Sequence, residues 1–538
     1  MPQWSRCLKY GIGYCDGYEA VTKSEASQNK RVFRLQPNIV PKPALRGDPV
    51  VEVFGSQDEF TCFRTYCEEV APRLSLSNQS MWQQLLLQAG QNYPFIRHAI
   101  IAMGALNRAL QVVGMGIIQL RQRNYMEADV PKTDLSVRLS TFALEHYGKF
   151  LRGAKGQISM STKEDEARKA LITCILVVCI ETMQYHHGNA IIHAQYGLRL
   201  MMEFTNRFVG PNQIDGLSSP VPSVIEDELV QQFQRLELQV MATYDARTPE
   251  DHFKLKKEGA LTLQNMPGAF LSIEQAKLYL DLIMRRAHHL MGTSAAYRPS
   301  YDSHAGNTKR NPETNFTVPE MTYTTWADGV PDEYHIEQEL YEAENRRWSK
   351  AFEPMFRMAL ANINHSKSIP ILLMRIHSLN CTIRLGTQMA SSELVFDKYL
   401  HQFEEVLKYS EILLNHPDGL RFFGSGYLNM DIGLIFPLMT AGLSCRDRYL
   451  RRKSIRLLTS RSWREGQWGS TGSAIIAIWL MEVEENGVEG DFIPEWARAK
   501  LTAMVADFDN RTLHLCCIRG TGENATYIQT NRSCDGTM

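Results

Sequence analysis

The sequence has no apolar run long enough to cross a membrane. Its strongest apolar run extends from Ala170 to Ile180, is interrupted by Thr173, and is bounded by Lys169 and Glu181. These residues would rise roughly 16 Å as a helix, whereas the hydrocarbon core of a bilayer is about 30 Å thick. The run therefore predicts a buried core helix. The first ten residues, MPQWSRCLKY, contain no apolar core of signal-peptide length, so secretion is not expected either.

Net charge and cysteine pairing are also lacking. The 58 basic and 59 acidic side chains leave a formal charge of −1, which predicts no bulk attraction to nucleic acid or to anionic membranes. The 11 cysteines are scattered without a secretory context, so we expect reduced thiols and no disulfide framework. With 44% hydrophobic and 22% charged residues, the composition is that of a globular protein.

The signatures of common enzyme sites are missing as well. The chain contains no G-x-S-x-G, H-E-x-x-H or P-loop pattern. His186, His187 and His193 do not have the i, i+4 spacing that places two metal ligands on one face of a helix. We therefore predict no catalytic residue, no bound cofactor and no metal site. A helical enzyme for a small apolar or isoprenoid ligand stays open as an alternative, although its usual D-D-x-x-D metal motif is absent.

The pattern along the chain predicts an all-α protein. Apolar residues recur at helical spacing from about 50 to 205 and again up to about 508, and strand alternation is nowhere sustained. We predict a polar linker at 19–47, a helical domain at 48–508 with a proline-bearing surface insert at 292–335, and a loose tail at 509–538. Four capping boxes are expected, at Ser80 with Gln83, Ser161 with Glu164, Ser223 with Glu226, and Ser272 with Gln275.

One segment is strongly basic. Residues 446–464 carry eight basic side chains against Asp447, a net charge of +7. We interpret this segment chiefly as the solvated face of a helix whose other side buries Ile455, Leu457 and Leu458. A basic surface for phosphate groups is the alternative, formed by Arg446, Arg448, Arg451, Arg452, Lys453 and Arg456.

The N-terminal head, residues 1–18, resembles the end of a fungal binuclear zinc-cluster DNA-binding module. Cys7 and Cys15 are followed by Asp16-Gly17-Tyr18, and Trp4 precedes them at cysteine spacing. In that family six cysteines hold two zinc ions. The resemblance implies that Cys7 and Cys15 occupy the places of the last two cysteines, and that Trp4 occupies the place of the fourth.

The rest of the chain resembles the regulatory domain that follows such clusters, over roughly residues 50–490. The resemblance lies in a series of short motifs in a fixed order: Leu85–Gln88, Ile96–Ile100, Gly104–Leu106, Ala190 with His193, Gly197-Leu198, Ile225–Leu229, Asp431-x-Gly433, Cys445-Arg446, Arg451-Arg452 and Glu465-Gly466-x-Trp468. It implies an all-helical domain, a nuclear protein and regulation of transcription. Many members of the family control secondary-metabolite gene clusters, which is the function expected here.

The incomplete cysteine set has physical consequences. Two cysteines cannot hold two zinc ions, and a small thiolate module folds only around its metals. We therefore expect a disordered head and no bound zinc, unless the missing cysteines lie upstream of this chain. Duplex DNA should bind weakly, and the expected partners are the transcription machinery or other regulators. A homodimer is left open, no membrane contact is expected, and an adaptor without a role at promoters is the second alternative.

Overall fold

The computed structural model describes residues 54–122, 134–158, 163–208, 215–243, 245–293, 330–424, 428–507, 512–521 and 525–533. Contacts divide the chain into two units, Met1–Gly55 and Ser56–Met538, and the second forms a compact body. The predicted head at 1–18, the linker at 19–47 and residues 294–329 of the predicted insert lie outside the described residues.

Helices dominate the first part of this body. They are α1 (Gln57–Thr65), α2 (Ala71–Leu74), α3 (Leu86–Asn92), α4 (Pro94–Gln122), α5 (Asp134–Ile158), α6 (Lys163–Met183), α7 (His187–Phe208) and α8 (Asp227–Thr243). Two π-helical segments, Tyr66–Val70 and Met81–Leu85, precede α2 and α3. Helices α1 and α4 approach so closely that a Cβ at Gly104 would lie 1.9 Å from the Cys62 carbonyl oxygen, which explains why glycine stands there.

The second part is also mainly helical. Its helices are α9 (Pro249–Leu255), α10 (Ala260–Gln264), α11 (Ile273–Thr293), α12 (Asp332–Ala361), α13 (Ser368–Thr387), α14 (Leu400–Asn415), α15 (Gly419–Phe423), α16 (Ile435–Ser444), α17 (Arg448–Thr459) and α18 (Ser470–Glu485). Short 3-10 helices occupy Glu393–Tyr399 and Glu495–Ala497. The predicted helical class is therefore confirmed for the bulk of the described chain.

The longest apolar run forms the buried helix that its length predicts. Within α6, Leu171, Leu176 and Ile180 have no exposed surface. A helix that is apolar on all sides is stable only when other elements cover each side. Neighbouring helices α4, α5, α7 and α8 supply that cover. Among the described residues, no helix is both long and apolar enough to span a bilayer.

The predicted capping boxes have mixed outcomes. Ser272 is confirmed as a cap, because the backbone N–H of Gln275 donates to its hydroxyl at 3.1 Å. The predictions at Ser80 and Ser223 are wrong: Ser80 already has helical backbone angles, and α8 begins later, at Asp227. Glu226, expected to reach back to Ser223, instead binds the Arg168 guanidinium. The box at Ser161 lies partly outside the described residues.

The prediction of a loose tail at 509–538 is wrong for the described residues from Thr512 onward. Strands β4 (Ala499–Asp507), β5 (Thr512–Arg519) and β6 (Thr526–Ser533) form an antiparallel sheet in that order. In β5, Leu513, Leu515 and Cys517 are buried at alternate positions, which is the strand period. The alternation covers only a few residues, and the strand is stable only when β4 and β6 pair with it. Such a short pattern does not stand out beside the helical spacing of the preceding residues. A smaller sheet joins β1 (Leu428–Asn429), β2 (Arg464–Glu465) and β3 (Trp468–Gly469).

Candidate regulatory site

The basic segment at 446–464 does not form a continuous surface. Arg446 and Arg451 are 2% and 1% exposed, and both guanidinium groups bind the carboxylate of fully buried Glu484. Arg446 also binds Glu393 at 2.9 Å. Neither sequence-based interpretation, solvated face or phosphate surface, fits these two arginines. The Asp447 carboxylate caps α17 by accepting from the backbone N–H of Leu450.

The remaining four residues of the predicted basic surface lie nearer to solvent. Arg448 and Arg452 both bind Glu485, and Lys453 binds Glu411 at 2.6 Å. Arg456 is exposed. Acidic side chains from α14 and α18 thus offset most of the positive charge that the sequence concentrates in α17. The segment acts mainly as a network that holds α17 against α18.

A loop at 428–434 joins the two parts of the body, and its central residue is Asp431, which is 2% exposed. Its carboxylate accepts hydrogen bonds from the backbone N–H of Leu76 at 2.8 Å, and from the hydroxyls of Ser75 and Ser77 at 2.8 and 3.0 Å. The buried Arg235 guanidinium lies 3.8 Å from the same carboxylate. Asp431 therefore ties the loop to the segment after α2 and to α8, and we call residues 428–434 the junction loop.

The junction loop is also held by Glu465. The Glu465 carboxylate accepts from the backbone N–H groups of Gly433, Leu434 and Ile435 at 3.1, 2.8 and 2.9 Å, and from the Trp463 indole N–H at 2.8 Å. These backbone donors are the open N–H groups at the start of α16. A Cβ at Gly433 would lie 2.2 Å from a Glu465 oxygen, so only glycine fits. This contact is the physical reason for the glycine at position 433 opposite Glu465.

Burial raises the pKa of Glu465 to about 7, although the four donors oppose the shift. The folded protein therefore takes up a proton in a pH range where the unfolded chain, with an ordinary pKa of 4.5, does not. Stability from this group is fully present below the unfolded pKa and is lost as the pH rises through about 7.

A Glu465→Gln variant tests this pH dependence, because glutamine keeps the shape and does not titrate. The variant loses two of the hydrogen bonds and is less stable than the wild type at every pH. The difference in unfolding free energy should shrink by about 2 kcal/mol between about pH 5 and about pH 8, because the wild type alone loses the protonation term. Urea unfolding followed by circular dichroism measures both proteins, and a difference that stays constant with pH would contradict the assignment.

Beside the junction loop lies a cleft between α11 and α13. Ile432 and Phe436 are among its lining residues, and its accessible wall is almost entirely apolar. The cavity inside it amounts to about 20 Å³, which is room for about one water molecule. We call it the histidine cleft, and it is lined by Met284, Ala287, His288, Met291, His377, Asn380, Cys381, Arg384, Leu385, Gln388, Ile432 and Phe436.

The other sequence-derived candidates give no second site. Trp4, Cys7 and Cys15 lie outside the described residues, so the prediction of a zinc-cluster remnant stays a prediction. His186 binds Glu181, and His187 contacts Gln467. In the part of the chain that the structure describes, no three histidine, cysteine or acidic side chains are grouped as metal ligands.

Sequence reasoning missed the residues that join the two parts. In the sequence, Asp431 and Glu465 stand out only as members of short motifs, and Glu484 does not stand out at all. The only signal for the first two was the presence of Gly433 and Gly466 nearby. Glu484 had no such signal, since it lies in an ordinary helical pattern.

Comparison with protein families gives one match. Residues 61–244 match the family model described as the fungal specific transcription factor domain. Neither the curated proteins nor the solved structures contain a significant match. The resemblance to the regulatory domain is therefore confirmed over nearly all of α1 to α8, and this match points to a regulator of transcription.

Proposed function

We propose that the protein is a nuclear transcription regulator that acts through its helical body, residues 56–533. The family match to residues 61–244 supports the regulatory role. The finer proposals are that its targets belong to a metabolic or secondary-metabolite gene cluster, and that it works through contacts with other regulators or the transcription machinery. On this proposal the head contributes little specific DNA binding.

The family match carries the proposal, and the continuity between the matched domain and the rest of the body supports extending it to residues 56–533. Beyond the contacts of Asp431, the backbone N–H of Met430 donates to the Leu74 carbonyl at 2.6 Å, and the Gln239 side chain donates to the Met430 carbonyl at 2.6 Å. Each of these bonds joins residues inside the family match to residues far beyond it. These bonds support a regulatory unit that extends past residue 244 and includes the junction loop.

A reporter assay tests the proposal. The full chain is joined to an unrelated DNA-binding domain and expressed with a promoter that carries the matching site. We expect reporter expression to rise or fall severalfold relative to the DNA-binding domain alone. Microscopy of the chain fused only to a fluorescent protein, without the added DNA-binding domain, should show it in the nucleus.

Two substitutions control for folding in the same fusion. Leu176→Asp should abolish the reporter effect, because it places a carboxylate inside the buried helix α6. Leu271→Asp makes the same chemical change at a residue that is 92% exposed, and it should leave the effect intact. A folded fusion that neither activates nor represses under varied growth conditions would favour the adaptor alternative.

A further inference from the structure

A second cleft lies where the two parts of the body meet. Its walls come from the Tyr66–Val70 segment, α2, α4, the end of α6, and strands β1 and β2. The cavity inside it amounts to about 50 Å³, which is room for about three water molecules, and polar and apolar atoms share its wall about equally. We call it the arginine cleft, and it is lined by Glu69, Val70, Arg73, Leu74, Asn107, Leu110, Met183, Tyr185, Leu428, Ser462, Trp463 and Arg464.

Arg464 brings a positive charge into this cleft without an acidic partner. Its guanidinium donates to the Thr182 carbonyl and stacks on the Tyr185 ring, 4.2 Å from the ring centre. Among the described residues, no carboxylate forms an ion pair with it. Burial lowers the pKa of Arg464, because the surroundings disfavour its charged form. Since an arginine side chain stays charged in proteins, an anion beside it would be strongly favoured.

Arg73 supplies a second positive charge from the opposite wall. Its guanidinium lies 3.9 Å from the Glu69 carboxylate, which is longer than a hydrogen bond. That carboxylate also accepts from the Asn107 side chain at 3.1 Å and from the Gln111 side chain. The lining residues thus carry two arginines and one glutamate, a net charge of +1. A single negative charge balances the cleft, whereas a dianion would bring an excess charge next to Glu69.

The backbone at Tyr185 is a separate sign of a binding site. Tyr185 has a φ of 65°, and it is the one residue other than glycine with a positive φ in the part of the chain that the structure describes. A bulky side chain rarely adopts this conformation, and strain of this kind is concentrated at ligand sites and switches. Here it places the Tyr185 ring in the wall of the cleft against Arg464. The residue is 39% exposed, so the cleft opens to solvent at this point.

The shape and chemistry of the walls favour a carboxylate. A guanidinium presents parallel N–H groups that match the two oxygens of a planar carboxylate. Val70, Leu110 and Leu428 place apolar surface in the same cleft. A short apolar stem suits this surface, and a group of three or four heavy atoms suits the volume. Inorganic phosphate is bulkier and mostly dianionic at neutral pH, so it fits less well.

We propose that the arginine cleft binds a small monocarboxylate, which pairs with Arg464 and Arg73 and places its apolar stem among Val70, Leu110 and Leu428. The carboxylate replaces the acidic partner that Arg464 lacks in the described chain. Nothing in the proposed function requires this site, and binding does not depend on it.

A ligand in this cleft would join the two parts of the body. Arg73 lies inside the family match to residues 61–244, whereas Arg464 lies far beyond it. Arg464 also directly precedes Glu465, which binds the backbone N–H groups of the junction loop. Occupancy would therefore stabilise the contact between the matched domain and the junction loop. Any effect on transcription rests on the proposed function.

The test uses the purified full chain with acetate as the probe and acetamide as the matched compound of the same shape without a charge. Sodium chloride keeps the ionic strength constant. We expect saturable broadening of the acetate methyl signal in nuclear magnetic resonance, and a melting temperature that rises with acetate concentration. Acetamide should bind at least roughly fivefold more weakly, because it cannot pair with the guanidinium groups as an anion.

Arg464→Gln locates the probe, since glutamine removes the charge and keeps an N–H that can donate to the Thr182 carbonyl. We expect it to weaken acetate binding at least roughly tenfold. Arg73→Gln, at a half-buried position, should weaken binding roughly fivefold, and it carries the test if Arg464→Gln does not fold. Arg357→Gln makes the same chemical change at a side chain that is 77% exposed and should bind acetate like the wild type.

Four results would overturn the proposal: no saturable acetate binding, equal binding of acetamide, tighter binding of inorganic phosphate, or unchanged acetate binding by a folded cleft variant. Because these measurements use purified protein without a promoter, their failure is distinct from a failure of the reporter assay.

Discussion

Replacing Glu484 by alanine is expected to lower the free energy of unfolding by about 3–5 kcal/mol. The Glu484 carboxylate has no exposed surface and binds Arg446 at 2.9 Å and Arg451 at 2.5 Å. It also accepts from the backbone N–H of Ala499 at 2.6 Å, which anchors the start of β4. The variant leaves Arg451 buried without its carboxylate, and an uncompensated buried charge is the main cost. Urea unfolding followed by circular dichroism gives the change.

Glu482→Ala is the matched control on the same helix. Its carboxylate binds Arg532 at 2.6 Å, but the two side chains are 50% and 42% exposed. Exposed ion pairs contribute between about 0 and 1 kcal/mol, so this variant should unfold almost like the wild type. Equal losses for Glu482→Ala and Glu484→Ala would show that burial of the network does not determine its contribution.

Leu176→Asp is expected to unfold the body altogether. The change removes a fully buried leucine, at a cost of about 2–5 kcal/mol, and buries a carboxylate without a partner, at a further cost of several kcal/mol. Together these losses approach the total stability of about 5–15 kcal/mol for a typical protein. The helical circular dichroism signal and the cooperative thermal transition should both be lost.

Leu271→Asp again supplies the control, because this leucine is 92% exposed. Surface substitutions of this kind usually change stability by less than about 0.5 kcal/mol. A cooperative, wild-type-like transition for Leu176→Asp would mean that α6 is not the buried centre of the first part of the body.

Several features could be predicted from the residues alone because they depend on near neighbours. The apolar run at Ala170–Ile180 has helical length and no polar face, so a buried helix is its stable form. Ser272 and Gln275 are three positions apart, so their cap forms within one turn. The order of short motifs also indicated the regulatory domain that the family model matches at residues 61–244.

Other features depend on residues that are distant in sequence, and only the tertiary structure decided them. Ser75 binds Asp431, 356 positions away, and nothing near either residue identifies its partner. The same holds for the strands: the alternation in β5 becomes a sheet only when β4 and β6 pair with it.

The basic segment shows the physical reason most clearly. Local charge counting treats every arginine of the basic segment as solvated, because a charge is costly to bury alone. Glu484 reverses that balance for Arg446 and Arg451 by supplying a carboxylate from another helix. The sequence by itself determined the mainly helical class and the burial of the apolar run at Ala170–Ile180. The fold alone decided which charges are buried and which backbone N–H groups Asp431 and Glu465 bind, because those outcomes depend on partners brought together across the chain.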